Sequence, residues 1–473
     1  MSKTIITEGD EGVQLIIKNR KGDRKKRNAA KDVSARSPVQ VLYGGADRYS
    51  ASTPEKMGKI ALATLKTYAP NFVEFAQAVR LPGTETLPGF PAAAEKLVEQ
   101  VTKNPVRAKE EDRAAWLAWS VYEKVADKLA AEPVEDLRID FEDGYGFRPD
   151  EEEDKDAKRS AMQIAQAFLE GSLTAFSGIR IKPLSGNTYA RAVSTYKLFT
   201  ETFLNETNGR LPENFVVTLP KVTGKKDVKE LVSLLKRTEK DFGLRSGSIG
   251  IELLTETPEV MKNGGSEIDS IVEAAKGRCT SIHFGAYDFT SALGIAPAYQ
   301  RLDHPACDLA RQYMQLAAAR LGIRVSDSVT TLLPVEVHRE KKLSAVQKNE
   351  NRRSVHDGWR THFANVTNAL RNGFYQGWDV HPNQLSARYA AVYAFFYDQL
   401  DEFAPRLRRF IDASTQAVLT GTTFDDAASA NGILNFFRKA VECSVLTEDE
   451  AGELIGCSAA EFRELDFERF GSV

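Results

Sequence analysis

Carboxylates and cations recur in this chain as short clusters, each placed at the end of an apolar run. They are Asp140-Phe141-Glu142-Asp143-Gly144, Arg180 with Lys182, Pro220-Lys221, Thr255-Glu256-Thr257, Gly285-Ala286-Tyr287-Asp288 and His381-Pro382-Asn383-Gln384. Several carboxylates gathered at one place are costly to bury unless a cation joins them. Oxygen-only ligands select a hard ion, Mg2+ or Mn2+. There is no nearby His/Cys cluster of the kind zinc prefers. No glycine-rich phosphate loop is present, which argues against nucleotide-dependent chemistry.

The elements that must position these clusters are eight strand-like runs. They are Val39–Tyr43, Leu137–Phe141, Gly178–Lys182, Phe215–Leu219, Ser248–Leu254, Thr280–Phe284, Gly322–Ser326 and Gln376–Val380. Most are short and rich in β-branched or aromatic residues, as buried parallel strands are. Helical patterns separate them. Lys226–Phe242 carries a stripe of Val228, Leu231, Leu234 and Leu235. Pro305–Leu321 opens with a proline and stops at Gly322, both helix-boundary signals. Alternating strands and helices imply a parallel sheet, and eight units imply a closed (β/α)8 TIM barrel, whose active site lies at the C-terminal strand ends.

The expected organisation is a polar N-terminal arm over 1–36, a barrel over 37–398 and a C-terminal helical extension over 399–473. A long insertion at about 82–134 follows the first strand and contains a helix, Trp116–Ala131. The extension should hold helices over Phe403–Leu419 and Ala427–Val441. The arm carries a basic run, Lys18 to Arg27, read as a solvated segment.

Bulk properties narrow the class. A net charge of −3 provides no global field for nucleic acid or an acidic membrane. No apolar run approaches the ~18 residues of a membrane span. The start, Met1-Ser2-Lys3-Thr4, lacks signal-peptide order. Four scattered cysteines without a CxxC pair fit reduced thiols. The expected location is the cytoplasm.

The order of clusters resembles the citrate lyase beta-subunit and malyl-coenzyme A lyase family of aldolases. Leu42-Tyr43 with Arg48 is similar to its opening strand, and Asp140-Phe141-Glu142-Asp143 to its Asp-Leu-Glu-Asp motif. Arg180, Pro220-Lys221, Glu256-Thr257, Phe284 to Asp288 and Gly373 to Gln384 resemble the later motifs, over roughly residues 39–390. The resemblance implies a magnesium-dependent carbon–carbon lyase acting on a hydroxy- or oxo-carboxylic acid or its coenzyme A thioester through an enolate. It implies Glu256 and Asp288 as metal ligands and Arg180 as the cation facing the substrate oxygen. Glu142 and Asp143 would hold metal-bound water and the arginine. The amides of Gly285, Ala286 and Tyr287 through Asp288 would grip the substrate carboxylate. It also implies a trimer or hexamer, in some members with the C-terminal part covering a neighbour's site. The asparagine that follows the arginine in the family is Lys182 here, which would add charge to the pocket.

The residues alone leave several alternatives. One of Glu142 and Asp143 should face the rim and the other a salt bridge. Lys221 fits a structural or a substrate-binding role. His381, before a proline, fits a loop lock better than catalysis. Glu252 could bind within the barrel interior. The segment His338–Val355, with six Lys/Arg, is either a solvated loop or a basic lid over the active face. A malate-synthase-like condensing enzyme or acyl-CoA hydrolase would use the same groups. A non-catalytic assembly protein would not need them.

Overall fold

A computed structural model describes residues 36–413, 418–420 and 423–467. Eight parallel strands close into a barrel in chain order. They are β1 (Gln40–Gly45), β2 (Asp136–Asp140), β3 (Phe176–Arg180), β4 (Phe215–Leu219), β5 (Gly250–Thr255), β6 (Cys279–Phe284), β7 (Arg324–Asp327) and β8 (Gln376–Asp379). Leu42 of β1 lies opposite Asp379 of β8 and closes the ring. The expected TIM barrel is therefore present, and each strand overlaps its expected run with ends displaced by up to two residues.

The strands are almost wholly buried, because the barrel interior seals one face and helices cover the other. Helix Lys225–Asp241 turns Val228, Leu231, Leu234 and Leu235 inward. Each such side chain contributes about 1.5–3 kcal/mol on full burial. Helix Pro305–Leu321 has His304 accepting from the Ala306 N–H at its start and Gly322 at φ 66° at its end. The left-handed conformation there suits a residue without a Cβ.

The chain divides into two compact units. One comprises 38–68 and 127–388 and contains the barrel. The other comprises, among the described residues, 36–37, 69–126 and 389–467. The boundary expected after Asp398 falls inside a single helix, Gln384–Asp412. The segment inserted after β1 and the C-terminal helices make one unit rather than two additions. Within it, Lys109 and Arg113 both pair with Asp401, at 2.6 and 2.9 Å. Helix Ala427–Glu442 is found as expected. The helix expected to run to Leu419 ends at Asp412, and Val418–Thr420 pairs antiparallel with Thr423–Asp425. The run Val418-Leu419-Thr420-Gly421-Thr422-Thr423-Phe424 carries the β-branched, glycine-centred composition of a hairpin, and that outweighs the helical spacing upstream. The N-terminal arm with its basic run, residues 1–35, lies outside the described residues. No helix among the described residues is long and apolar enough to cross a membrane.

Candidate active site at the C-terminal rim of the barrel

Six of the expected residues meet where β2, β3, β4, β5 and β6 end. Arg180 ends β3, beside Asp140 in the β2–β3 register. Its Nε and Nη2 donate to the two Asp140 oxygens at 2.6 and 2.5 Å, a fork-to-carboxylate pairing that fixes the guanidinium plane. The same Asp140 oxygens accept the Glu142 and Gly144 amides at 2.9 and 2.7 Å. A Cβ on Gly144 would stand 2.5 Å from Asp140 Oδ2, so this close approach requires glycine. Burial opposes ionisation of Asp140, but the charge and hydrogen bonds of Arg180 hold its carboxyl below the usual range. Asp140 was absent from the residues expected to act here, although it is the group that orients Arg180.

Glu142 and Asp143 differ in depth, and both join ion pairs. Glu142 is buried and lies between both cations, 3.0 Å from Arg180 Nη1 and 2.7 Å from Lys221 Nζ. Asp143 is 61% exposed and sits 3.5 Å from Lys221 and 3.9 Å from Arg180. Burial raises Glu142, with Arg180 opposing and Asp143 adding to the rise. Lys221 joins the cluster twice over. Its ammonium reaches Glu142, Asp143 and, at 3.8 Å, Asp288. Its amide donates to Glu256 Oε1 at 2.6 Å. Its φ of 52° is a left-handed conformation rare for a side-chain-bearing residue, worth about 1–2 kcal/mol of local strain. Such strain concentrates at functional turns.

Glu256 is 3% exposed. Its carboxyl is pushed up to about 7, first by burial and then by the charges of Asp288 and Glu142, with Lys221 opposing. Gly285 packs directly on it, and a Cβ there would meet Glu256 Oε2 at 2.3 Å. Asp288 lies half-exposed in the first turn of helix Ala286–Ala292. Among the described residues, Arg180 and Lys221 are the cations paired with Asp140, Glu142, Asp143 and Asp288, and the Lys221 charge also acts on Glu256. This oxygen-only, net negative donor set fits a hard divalent ion. Among the described residues no three His, Cys, Asp or Glu groups converge as a ready-made metal cage.

Other expected residues are placed elsewhere. Lys182 is buried with its ammonium on Phe141 O and Glu153, at 2.6 and 2.7 Å, which takes it out of the pocket. The two partners neutralise a charge that could not stay bare at that depth. The Gly285 and Ala286 amides are already bound, to Thr255 O at 3.4 Å and Ser328 Oγ at 3.1 Å, so neither is open to a carboxylate. The Tyr287 hydroxyl lies 3.3 Å from Thr331 Oγ1. The segment 338–355 is partly helix, since Ser344 caps helix Ala345–Arg371. Asn351 holds the segment down by accepting the Val337 and His338 amides.

The His381-Pro382-Asn383-Gln384 run is a loop clamp. Gln384 Oε1 accepts the Val380 and His381 amides, and its Nε2 donates to Thr330 O at 2.8 Å. His381 Nδ1 accepts from the Asn383 amide at 3.2 Å. The loops after β7 and β8 are tied together by these bonds. Beneath them His362 spans Asp379 (2.9 Å) and Thr330 Oγ1 (2.9 Å). Glu252 is fully buried in the barrel interior, accepting from Arg138 and Thr218.

Two aromatic side chains that the motifs did not single out as site groups complete the floor. The Arg180 guanidinium carbon lies 4.8 Å from the Tyr43 ring centre and 5.1 Å from that of Trp378. Each is a cation–π distance. The Tyr43 hydroxyl is bonded to His283 Nδ1 at 3.1 Å.

Comparison with known proteins bears on the fold and the family. No curated protein matches the sequence. A citrate lyase crystal structure from Burkholderia xenovorans is similar at TM-score 0.52 and 21% identity, covering 70% of this chain and 92% of that one. A CitE protein of Mycobacterium tuberculosis in complex with magnesium, acetoacetate and coenzyme A gives 0.41 and 18%, covering 68% and 94%. A malate synthase of Haloferax volcanii, as a lead(II) complex, gives 0.41 and 14%, covering 70% and 90%. At these identities the likeness to citrate lyase speaks for a shared barrel. The family model described as a domain of unknown function, DUF6986, matches residues 20–470, and the chain belongs to that family.

Proposed function

We infer that the chain is a magnesium-dependent carbon–carbon lyase or aldolase acting on a hydroxy- or oxo-carboxylic acid, or its acyl thioester, through an enolate. The observation that carries this reading is Arg180. It is a buried guanidinium locked by Asp140, with Nη1 turned toward the carboxylate cluster at the open end of the barrel.

Glu256 and Asp288 would hold the ion. Bound there, magnesium supplies Lewis acidity and a chelating seat for carboxylate or carbonyl oxygens. In the cleavage direction a base takes the substrate's hydroxyl proton, the hydroxyl-bearing carbon becomes a carbonyl as the carbon–carbon bond breaks, and the electron pair of that bond leaves as the enolate of the other fragment. Arg180 is fixed before the reaction begins, so its charge meets the oxygen that gains charge without a cost of reorganisation. Lys221 offsets the carboxylates that would otherwise repel an acidic substrate. Glu142 restrains both cations through separate oxygens. A malate-synthase-like condensing enzyme would run the same enolate chemistry in reverse and then hydrolyse the thioester, and an acyl-CoA hydrolase would carry out the hydrolysis alone.

The test is a screen of the purified full chain with Mg2+ and with Mn2+. It covers cleavage of hydroxy acids and their coenzyme A esters, and condensation of acetyl-thioesters with oxo acids. Metal-dependent turnover abolished by a chelator is the expected result. The absence of turnover in both directions, with either metal, would remove the reading.

A further inference from the structure

Two buried donors at the open end of the barrel have no hydrogen-bond acceptor among the described residues: Arg180 Nη1 and the Trp378 indole Nε1. Arg180 Nη1 has Glu142 Oε2 at 3.0 Å as an ion pair, without hydrogen-bond geometry. Indole N–H and guanidinium groups can only donate. An unmatched buried donor in a native protein calls for an explanation.

The two sit together. The guanidinium carbon of Arg180 lies 5.1 Å from the Trp378 ring centre, and the Tyr43 ring packs on Trp378 at 4.3 Å with the planes tilted by 41°. These two rings belong to an inner layer with Val41 and Leu254, which are 0% exposed. Tyr43 at 6% and Trp378 at 9% are buried with them, with partly buried Val329 packed against the group. Of the two polar tips, the Tyr43 hydroxyl is taken by His283. The Trp378 tip is left over.

We propose that Trp378 is a substrate-binding residue whose indole N–H donates to an oxygen of the anionic head group that Arg180 faces. This rests on the reading of the site as one for an oxo- or hydroxy-carboxylate. The chemistry selected is a planar, acceptor-only group, a carboxylate or the enolate of an oxo acid. A hydroxyl or amine in that place would offer the two donors less. The indole adds direction without adding charge, which matters in a pocket where Arg180 and Lys221 already supply the cations.

The experiment uses oxalate, a stable planar mimic of an oxo-acid enolate, with Mg2+ and the full chain. In protein labelled with 15N-tryptophan, the indole resonance absent from Trp378→Phe identifies Trp378. Oxalate should move that resonance downfield in the wild type. Trp378→Phe keeps the aromatic face beneath Arg180 and should bind oxalate about tenfold more weakly by calorimetry, the usual effect of losing one hydrogen bond to a charged group. Oxalate binding with an unmoved Trp378 resonance and unchanged affinity in the variant overturns the inference and leaves the functional reading standing. Failure of the wild type to bind oxalate with Mg2+ overturns the reading and the inference with it. Should Trp378→Phe not fold, the resonance is assigned by elimination from the other three indoles, and its shift decides.

Discussion

Glu256→Gln converts the raised pKa of one buried carboxyl into a measurable stability curve. In the folded, metal-free chain the group titrates at about 7, against an ordinary value of 4.5. The folded state therefore holds a proton that the unfolded chain releases between those two pH values. A group with a raised folded pKa contributes stability that is complete below 4.5 and lost as pH rises through about 7. A shift of this size corresponds to about 3 kcal/mol. Glutamine mimics the neutral acid and keeps an oxygen for the Lys221 amide, which Glu256 accepts at 2.6 Å. The variant should match the wild type near pH 4.5 and exceed it by about 3 kcal/mol above pH 7 when no metal is present. Urea unfolding at a series of pH values gives the difference curve, in which all other titrating groups cancel to first order. Added Mg2+ at pH 8 should then narrow the gap by stabilising only the wild type, as any ligand of the folded state does. A flat difference curve, or a variant less stable at high pH, refutes the electrostatic account of Glu256.

Four further outcomes follow from the geometry. Arg180→Lys keeps the charge but loses the fork on Asp140, and turnover should fall by roughly 10²–10³; steady-state kinetics decide. Gly285→Ala places a Cβ against Glu256 Oε2 and should cost about 1–3 kcal/mol while erasing the Mg2+-induced thermal shift. Gln384→Ala leaves the Val380 and His381 amides and the Thr330 carbonyl without their partner, for a loss of about 2–3 kcal/mol in urea unfolding. Tyr43→Phe keeps the ring under Arg180 but loses the bond to His283 and should lower kcat in part, whereas Tyr43→Leu should lose most of it, with KM little changed in both; equal losses would show that the ring face is not what positions Arg180.

The barrel was legible because its signals are local. Runs such as Phe215-Val216-Val217-Thr218-Leu219 announce a buried parallel strand by composition alone, and Pro305 with Gly322 brackets one helix from both ends. Side-chain partnerships were less legible because they depend on register and depth. Lys182 sits two residues beyond Arg180 and looked like a second cation for the pocket, yet Glu153 draws it away. Asp140 read as part of a motif, but only the β2–β3 register places it against Arg180. The left-handed φ at Lys221 has no sequence signature, since a lysine there breaks the preference for glycine. The pairing of Lys109 and Arg113 with Asp401 joins segments almost 300 positions apart, and no local pattern reports such a contact.

The interior beneath the site gives a reason for the placement of Arg180. Barrel cores are usually filled by branched apolar side chains. Here Arg138 is buried between Asp136 and Glu252, Glu252 lies 3.4 Å from His283 Nε2, and His283 Nδ1 meets the Tyr43 hydroxyl under Arg180. Desolvating that many charges is no route to stability, since apolar residues of equal volume often do as well or better. What such a column does provide is a set of directional restraints that a hydrocarbon core lacks. Tyr43 cannot tilt without breaking its bond to His283, and Arg180 cannot swing without leaving two aromatic faces and both oxygens of Asp140. A cation held this way is preorganised, and a preorganised charge stabilises a developing oxyanion better than a mobile one of equal magnitude.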